Sequence, residues 1–164
     1  MFKFLSLISL LFLFACQTKP MSDKQQPMKP KINKPDTEWK KILTPQQFHI
    51  LRRKGTDLPG TGKYTYHFED GIYKCAACGA PLFKSGNKYE SHCGWPSFDD
   101  ALPGTVIMQP DYSHNMIRTE ILCANCGGHL GHIFDDGPQE TTGKRYCVNS
   151  TSLNFTKPNN PTGK

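Results

Sequence analysis

Lys144-Arg145-Tyr146-Cys147-Val148-Asn149-Ser150 is a short β-branched and aromatic run with one cysteine at its centre. A strand sends successive side chains to opposite faces, so Arg145, Cys147 and Asn149 project together while Tyr146 and Val148 point the other way. The first face reads as polar and reactive, the second as core. A guanidinium beside a thiol favours the thiolate, which is the nucleophilic form, so this spacing suits an activated cysteine. The plainer reading is a buried, inert thiol, the commoner fate of a lone strand cysteine. The stretch alone does not decide between them; the use of the other six cysteines does.

Similar strand signals recur on both sides. Tyr64, Tyr66 and Phe68 alternate with Thr65 and His67, the turn Glu69-Asp70-Gly71 follows, and Ile72-Tyr73-Lys74 resumes, which predicts a hairpin delivering Cys75. Further strands are expected at 106–109, 116–122, 133–134, 145–149 and 153–155, separated by Gly, Pro, Asn and Asp clusters. Ahead of them, Thr44-Pro45-Gln46-Gln47 carries an N-cap, a first-turn proline and the glutamine of a capping box. Phe48 and Leu51 lie on the inner side of the helix that follows, and Gly55 is placed to close it. The expected fold is mainly β, two antiparallel sheets packed as a sandwich, with short N-terminal helices.

A chain of 164 residues accommodates one ordinary domain with its own core. Lys3 precedes the apolar run Phe4-Leu5-Ser6-Leu7-Ile8-Ser9-Leu10-Leu11-Phe12-Leu13-Phe14-Ala15, too short to span a bilayer as a mature helix. It reads as an export signal, and Leu13-Phe14-Ala15-Cys16 is similar to a bacterial lipoprotein signal, in which the cysteine is lipidated. An ordinary cleaved secretory signal is the alternative. Residues 17–36 are rich in Lys, Gln and Pro and hold no aromatic residue, the composition of a tether. The expected layout is a signal at 1–15, lipidated Cys16 and tether to 36, a domain at 37–157 and a tail at 158–164. That places the protein outside the cytoplasm, held to a membrane by a lipid on Cys16. The formal charge of +6 sits mostly in the leader and tether, since residues 42–164 carry twelve basic and eleven acidic side chains. A nearly neutral domain argues against a phosphate-binding face and against nucleic acid as a partner.

Cys75-Ala76-Ala77-Cys78-Gly79 and Cys123-Ala124-Asn125-Cys126-Gly127 each end an expected strand and enter a tight turn of small residues. Together they have the ligand set of a four-sulfur structural zinc site with no open coordination position. Two disulfides, or a redox pair of the thioredoxin kind, are the alternatives. Gly79-Ala80-Pro81 forbids the continuous helix that the redox pair requires. Cys93 and Cys147 then remain. A plain structural disulfide is the ordinary fate of two such residues in an exported chain, but Cys93 lies in the Gly- and Pro-broken loop Ser91-His92-Cys93-Gly94-Trp95-Pro96-Ser97-Phe98. Trp95 there is either an aromatic wall for a sulfur-bearing group or ordinary core. Gly127-Gly128-His129-Leu130-Gly131-His132-Ile133-Phe134 offers two histidines for proton delivery. Spaced three apart they fall on opposite faces of a regular strand, unless Gly131 allows a bulge that brings both to one site.

With these motifs in view the chain resembles the methionine sulfoxide reductase B family over roughly residues 39–155. The likeness rests on the two Cys-x-x-Cys pairs, Cys93-Gly94-Trp95-Pro96-Ser97-Phe98, Arg118-Thr119-Glu120, the His129 to Phe134 run and Arg145-Tyr146-Cys147-Val148-Asn149-Ser150. It implies two antiparallel sheets and reduction of the R epimer of methionine sulfoxide, in proteins rather than as the free amino acid. By the same match Cys147 is the nucleophile and Cys93 the resolving cysteine, their disulfide being reopened by a thioredoxin-like dithiol. His129, His132, Asp136, Arg145 and Asn149 help bind or polarise the sulfoxide, Trp95 receives its methyl group, and Phe134 belongs to the same pocket. His92 departs from the glycine common at that position. No organic cofactor is expected, and a monomer is. The competing classes are a zinc-ribbon nucleic-acid binder and a general thiol–disulfide oxidoreductase working at a Cys-x-x-Cys pair.

Overall fold

The structure, a computed structural model, describes residues 29–158. The expected signal and lipidated Cys16, most of the tether and residues 159–164 lie outside the described residues. Two short helices open the domain, α1 (Asp36–Ile42) and α2 (Pro45–Arg53). The capping box is formed: Thr44 Oγ1 accepts from the Gln47 amide and Gln47 Oε1 accepts from the Thr44 amide, both at 3.1 Å. The end of α2 corrects the sequence reading, because Lys54 rather than Gly55 takes the left-handed conformation, with φ 56°. Gly55 is needed for a different reason: a Cβ there would stand 2.4 Å from the His49 ring.

Three strands, β1 (Ile72–Cys75), β2 (Pro81–Lys84) and β9 (Leu153–Thr156), form an antiparallel sheet in the order β2-β1-β9. The hairpin expected ahead of β1 is absent, since residues 61–67 turn without entering a strand. Side chains satisfy the backbone there in place of a ladder. Ser150 Oγ accepts from the Tyr64 amide at 2.9 Å, and the buried Lys88 ammonium donates to the Thr65 carbonyl at 2.9 Å. Tyr64 and Thr65 are both buried while Tyr66 and Phe68 face solvent, so the alternation of the letters is not an alternation of faces.

Six strands form the second antiparallel sheet, in the order β3-β4-β8-β7-β6-β5. They are β3 (Lys88–Tyr89), β4 (Ser97–Phe98), β5 (Val106–Asp111), β6 (Arg118–Cys123), β7 (His129–Phe134) and β8 (Arg145–Val148). The strand expected from 116 begins at Arg118, because His114 and Asn115 spend positive φ values of 56° and 55° on the preceding turn. The sheets meet through aromatic rings: Phe83 of β2 stacks on Phe98 of β4 at 4.3 Å, and Tyr73 of β1 meets the same ring edge-on at 5.0 Å. Phe98 is therefore part of the core between the sheets. Leu82, Ile121, Leu130 and Val148 fill the same interior, each fully buried.

Register sets the polar face of the large sheet. Gln109 pairs with Glu120, Glu120 with His132, His132 with Cys147 and Cys147 with Ser97. Directly opposed residues share a face, so these five form one polar row across β5, β6, β7, β8 and β4. A register shift between Ile121 and Leu122 supplies the bulge that Gly131 allows. It places the His129 and His132 rings on one side, 5.6 Å apart. At Gly131 a Cβ would stand 2.0 Å from the Cys147 carbonyl oxygen. Gly131→Ala is therefore expected to push β7 and β8 apart and cost about 2 kcal/mol or more in a urea unfolding titration. A variant as stable as the parent would show that the approach is not tight.

Candidate active site and metal centre

Both Cys-x-x-Cys turns fold alike. The amide of Gly79 donates to the Cys75 carbonyl and that of Gly127 to the Cys123 carbonyl, each at 2.8 Å. The two glycines hold φ values of 73° and 70°, which aims each pair of thiols into one space. Cys75 ends β1 of the small sheet and Cys123 ends β6 of the large one, with Cys78 and Cys126 in the turns that follow. Their four sulfurs lie within 4.8 Å of one another, with Cys75 to Cys126 at 3.7 Å and Cys78 to Cys123 at 3.6 Å. A tetrahedral ion with metal–sulfur bonds of about 2.3 Å has edges of about 3.8 Å, so the donor set fits a metal. No helix follows Cys75, and the sulfur contacts run between the two Cys-x-x-Cys pairs rather than within them, an arrangement that favours one shared metal site over either alternative.

The remaining sulfurs are neighbours. Cys147 Sγ on β8 and Cys93 Sγ in the loop before β4 are 3.7 Å apart. The β8 alternation is as read: Arg145 and Cys147 are half-buried on one face while Tyr146 and Val148 are core. The Cys93 loop is braced by the Asp57 segment, with the Gly60 amide donating to the Gly94 carbonyl at 2.7 Å and Trp95 Nε1 to the Asp57 carbonyl at 2.9 Å.

A cavity of about 120 Å³ opens beside Cys147, lined by Trp95, Arg118, His132, Phe134, Asn149 and Thr56 among others. Cys93 is not in its wall. Asn149 is fixed on both ends, Oδ1 accepting from the Asp57 amide and Nδ2 donating to the Leu130 carbonyl. Arg145 stacks on Phe134 at 4.4 Å and gives two hydrogen bonds of 2.8 Å to Asp136. Asp136 is exposed and outside the cavity wall, so it reaches the site through Arg145. His132 lines the cavity and bonds Asp111 at 2.7 Å, whereas His129 is buried behind it on Glu120 at 2.7 Å. A larger polar cavity of about 370 Å³ between Gln46, Tyr64 and Thr151 holds no sulfur, and its one carboxylate, Asp57, is taken up by Thr151.

Charge in the site is concentrated on the two sulfurs. The hydrogen bond with Cys147, with the Ser91 and Ser97 hydroxyls, overcomes burial and lowers Cys93 to about 4. The same bond to Cys93, followed by burial, pushes Cys147 up, and Arg145 pulls it back down. One proton thus lies between two sulfurs, and a single negative charge belongs to the pair. Burial lowers His132 against the pull of Asp111. Burial would raise Glu120, but bonds from His129, Lys54 and Gln109 outweigh it and hold the carboxylate at about 2.

A family model described as the SelR domain matches residues 43–157 of this chain. The chain belongs to the methionine sulfoxide reductase B family. It is 57% identical over 132 residues to "Peptide methionine sulfoxide reductase B2, chloroplastic" of Arabidopsis thaliana, covering 80% of this chain and 64% of that one, under two thirds of its length. Peptide methionine sulfoxide reductase MsrB of Agrobacterium fabrum is 55% identical over 127 residues, 77% of this chain and 93% of its own. The protein of that name from Leptospira interrogans is 58% identical over 127 residues, 77% of this chain and 96% of its own. The crystal structure of the Mis18 "Yippee-like" domain overlies 56% of this chain and 100% of its own at TM-score 0.45 and 17% identity, too distant a likeness to carry weight.

Within this SelR domain, the site includes residues that the sequence reading left without a role. Glu120, 1% exposed, receives His129, Lys54 and Gln109. Asp111 joins His132 to Arg118, and the buried Arg118 Nε has no hydrogen-bond partner among the described residues. The Arg118-Thr119-Glu120 motif was the available signal for the first, though it carried no role for the carboxylate. Asp57 gave none, because it meets Asn149 and Thr151 from more than ninety residues away, and Thr56 beside it reaches the cavity wall from the same distant stretch.

Proposed function

We propose that this chain is a thiol-dependent reductase that returns R-methionine sulfoxide in proteins to methionine. The observation that carries the reading is one sulfur, Cys147, in the wall of an aromatic-lined cavity, with a second, Cys93, 3.7 Å behind it and outside that wall. Trp95 and Phe134 suit the methyl and methylene groups flanking the sulfoxide. The Cys147 thiolate attacks the sulfoxide sulfur while a histidine, His132 at the cavity wall with His129 behind it, protonates the oxygen. The sulfur–sulfur bond so formed breaks as the oxygen passes from the substrate sulfur to the Cys147 sulfur, so methionine departs and Cys147 is left as a sulfenic acid. The Cys93 thiolate then attacks the Cys147 sulfur, the S–O bond breaks, hydroxide leaves as water after taking a proton, and a disulfide remains. A thioredoxin-like dithiol reopens it by exchange and is itself oxidised. Arg145, oriented by Asp136, favours negative charge on the pair, and Asn149 shapes the cavity edge.

Cys75, Cys78, Cys123 and Cys126 would hold a structural zinc ion, whose contribution is folding energy rather than chemistry. Location outside the cytoplasm, with a lipid on Cys16, is proposed from the apolar run at 4–15 and the cysteine that follows it.

The test is reduction of purified R- and S-methionine sulfoxide peptides with dithiothreitol. Only the R peptide should yield methionine; turnover of the S peptide, or of neither, overturns the reading. With a protein dithiol donor, Cys93→Ser is expected to yield about one methionine per chain and then stop, and sustained turnover would remove Cys93 from the cycle.

A further inference from the structure

The Cys93 sulfur is closely surrounded by oxygen atoms that the reaction as derived leaves unused. Ser91 Oγ donates to it at 3.0 Å, Ser97 Oγ lies at 3.4 Å, and the Trp95 carbonyl at 3.6 Å. The two hydroxyls also bond each other at 2.7 Å. Ser97 is 1% exposed, sits on β4 and stands directly across from Cys147 in the sheet register. A buried pair of hydroxyls joined in a chain is polarised along its length, which strengthens each bond to an anion at its end.

We propose that Ser91 and Ser97 are positioning residues for the resolving step, holding Cys93 as a thiolate aimed at Cys147 once Cys147 carries the oxygen. The proposal rests on the assignment of Cys147 and Cys93 given above. In the resting pair the largest support for charge on Cys93 is the hydrogen bond from the Cys147 thiol, with Ser91 and Ser97 following. Oxidation of Cys147 to the sulfenic acid consumes that S–H. The serine hydroxyls, fixed by β4 and by each other, are then the donors that remain. The titratable groups facing Cys93 from packed elements are Cys147 and Arg145 of β8 and Tyr89 of β3. On its own loop, His92 and Glu90 pair with each other in solvent. A thiolate held below its ordinary range is present above its midpoint and is lost as pH falls through it. Without a hydroxyl donor that midpoint rises, and disulfide formation fails at a higher pH.

The experiment is a single turnover of the full chain with an R-sulfoxide peptide and no reductant, repeated across the acidic pH range. Methionine is counted for the first step and lost thiols for the second. Ser97→Ala is expected to raise the midpoint of disulfide formation by about one pH unit and to slow it about threefold, relative to the methionine burst, below both midpoints. Ser97→Thr, which keeps the hydroxyl, should restore the midpoint, a rescue that a purely packing role would not give. Ser91→Ala, on the loop, reports the same shift should Ser97→Ala not fold. Unchanged midpoints in the alanine variants overturn the proposal. If the parent chain makes methionine without losing a pair of thiols, the two-sulfur cycle itself is wrong, and the proposal falls with it.

Discussion

Cys147→Ser is expected to abolish methionine formation, lowering the rate by about 10⁴-fold or more, with the melting transition moved by only a few degrees at about the scale of a single conservative change. The serine hydroxyl matches the thiol in shape but does not ionise near neutral pH. Arg145 stabilises an anion without removing a proton, and in the proposed cycle the histidine at the wall gives a proton to the sulfoxide oxygen rather than taking one from the nucleophile. Chromatographic assay of the R-sulfoxide peptide, beside a circular dichroism melt, separates lost chemistry from lost fold. A variant retaining a tenth of parental activity would move the nucleophile elsewhere, with Cys93 the next sulfur to test.

Removal of the metal is expected to be nearly as severe. The four-sulfur site ties the end of β1 in one sheet to the end of β6 in the other, and Cys75 and Cys123 are fully buried. Structural zinc contributes about 10 kcal/mol or more to folding in small domains, as much as the whole net stability of a typical domain. A strong chelator at elevated temperature should release one metal per chain, with cooperative loss of sheet signal and of activity together. Cys78→Ser, at the most exposed of the four ligands, should give protein that is metal-poor and unfolds at a much lower urea concentration. Full stability in a metal-free preparation would remove the structural role.

The knuckles, the capping box and the β8 alternation were readable because each is local: a few residues and the geometry of one turn or strand specify them. The bulge at Gly131 was readable as a permission, and the ladder shows it taken. The stretch from Tyr64 to Phe68 misled because its partners are distant. Ser150 and Lys88 supply its hydrogen bonds, and nothing within the five letters announces them. Glu120, Asp111 and Asp57 escaped for the same reason, since a carboxylate has meaning only once the strand beside it is known. Arg145 was read as a neighbour of the thiol, and the structure adds that Asp136 shares it.

The short gap between Cys93 and Cys147 has a bearing on the partner that recharges the enzyme. Bonding needs each sulfur to travel under about an ångström, so the spent and fresh forms keep nearly the same outline. A donor protein has no large rearrangement to recognise. In the proposed cycle the disulfide itself distinguishes the two forms for a thiol donor, since only the spent form offers a bond to exchange.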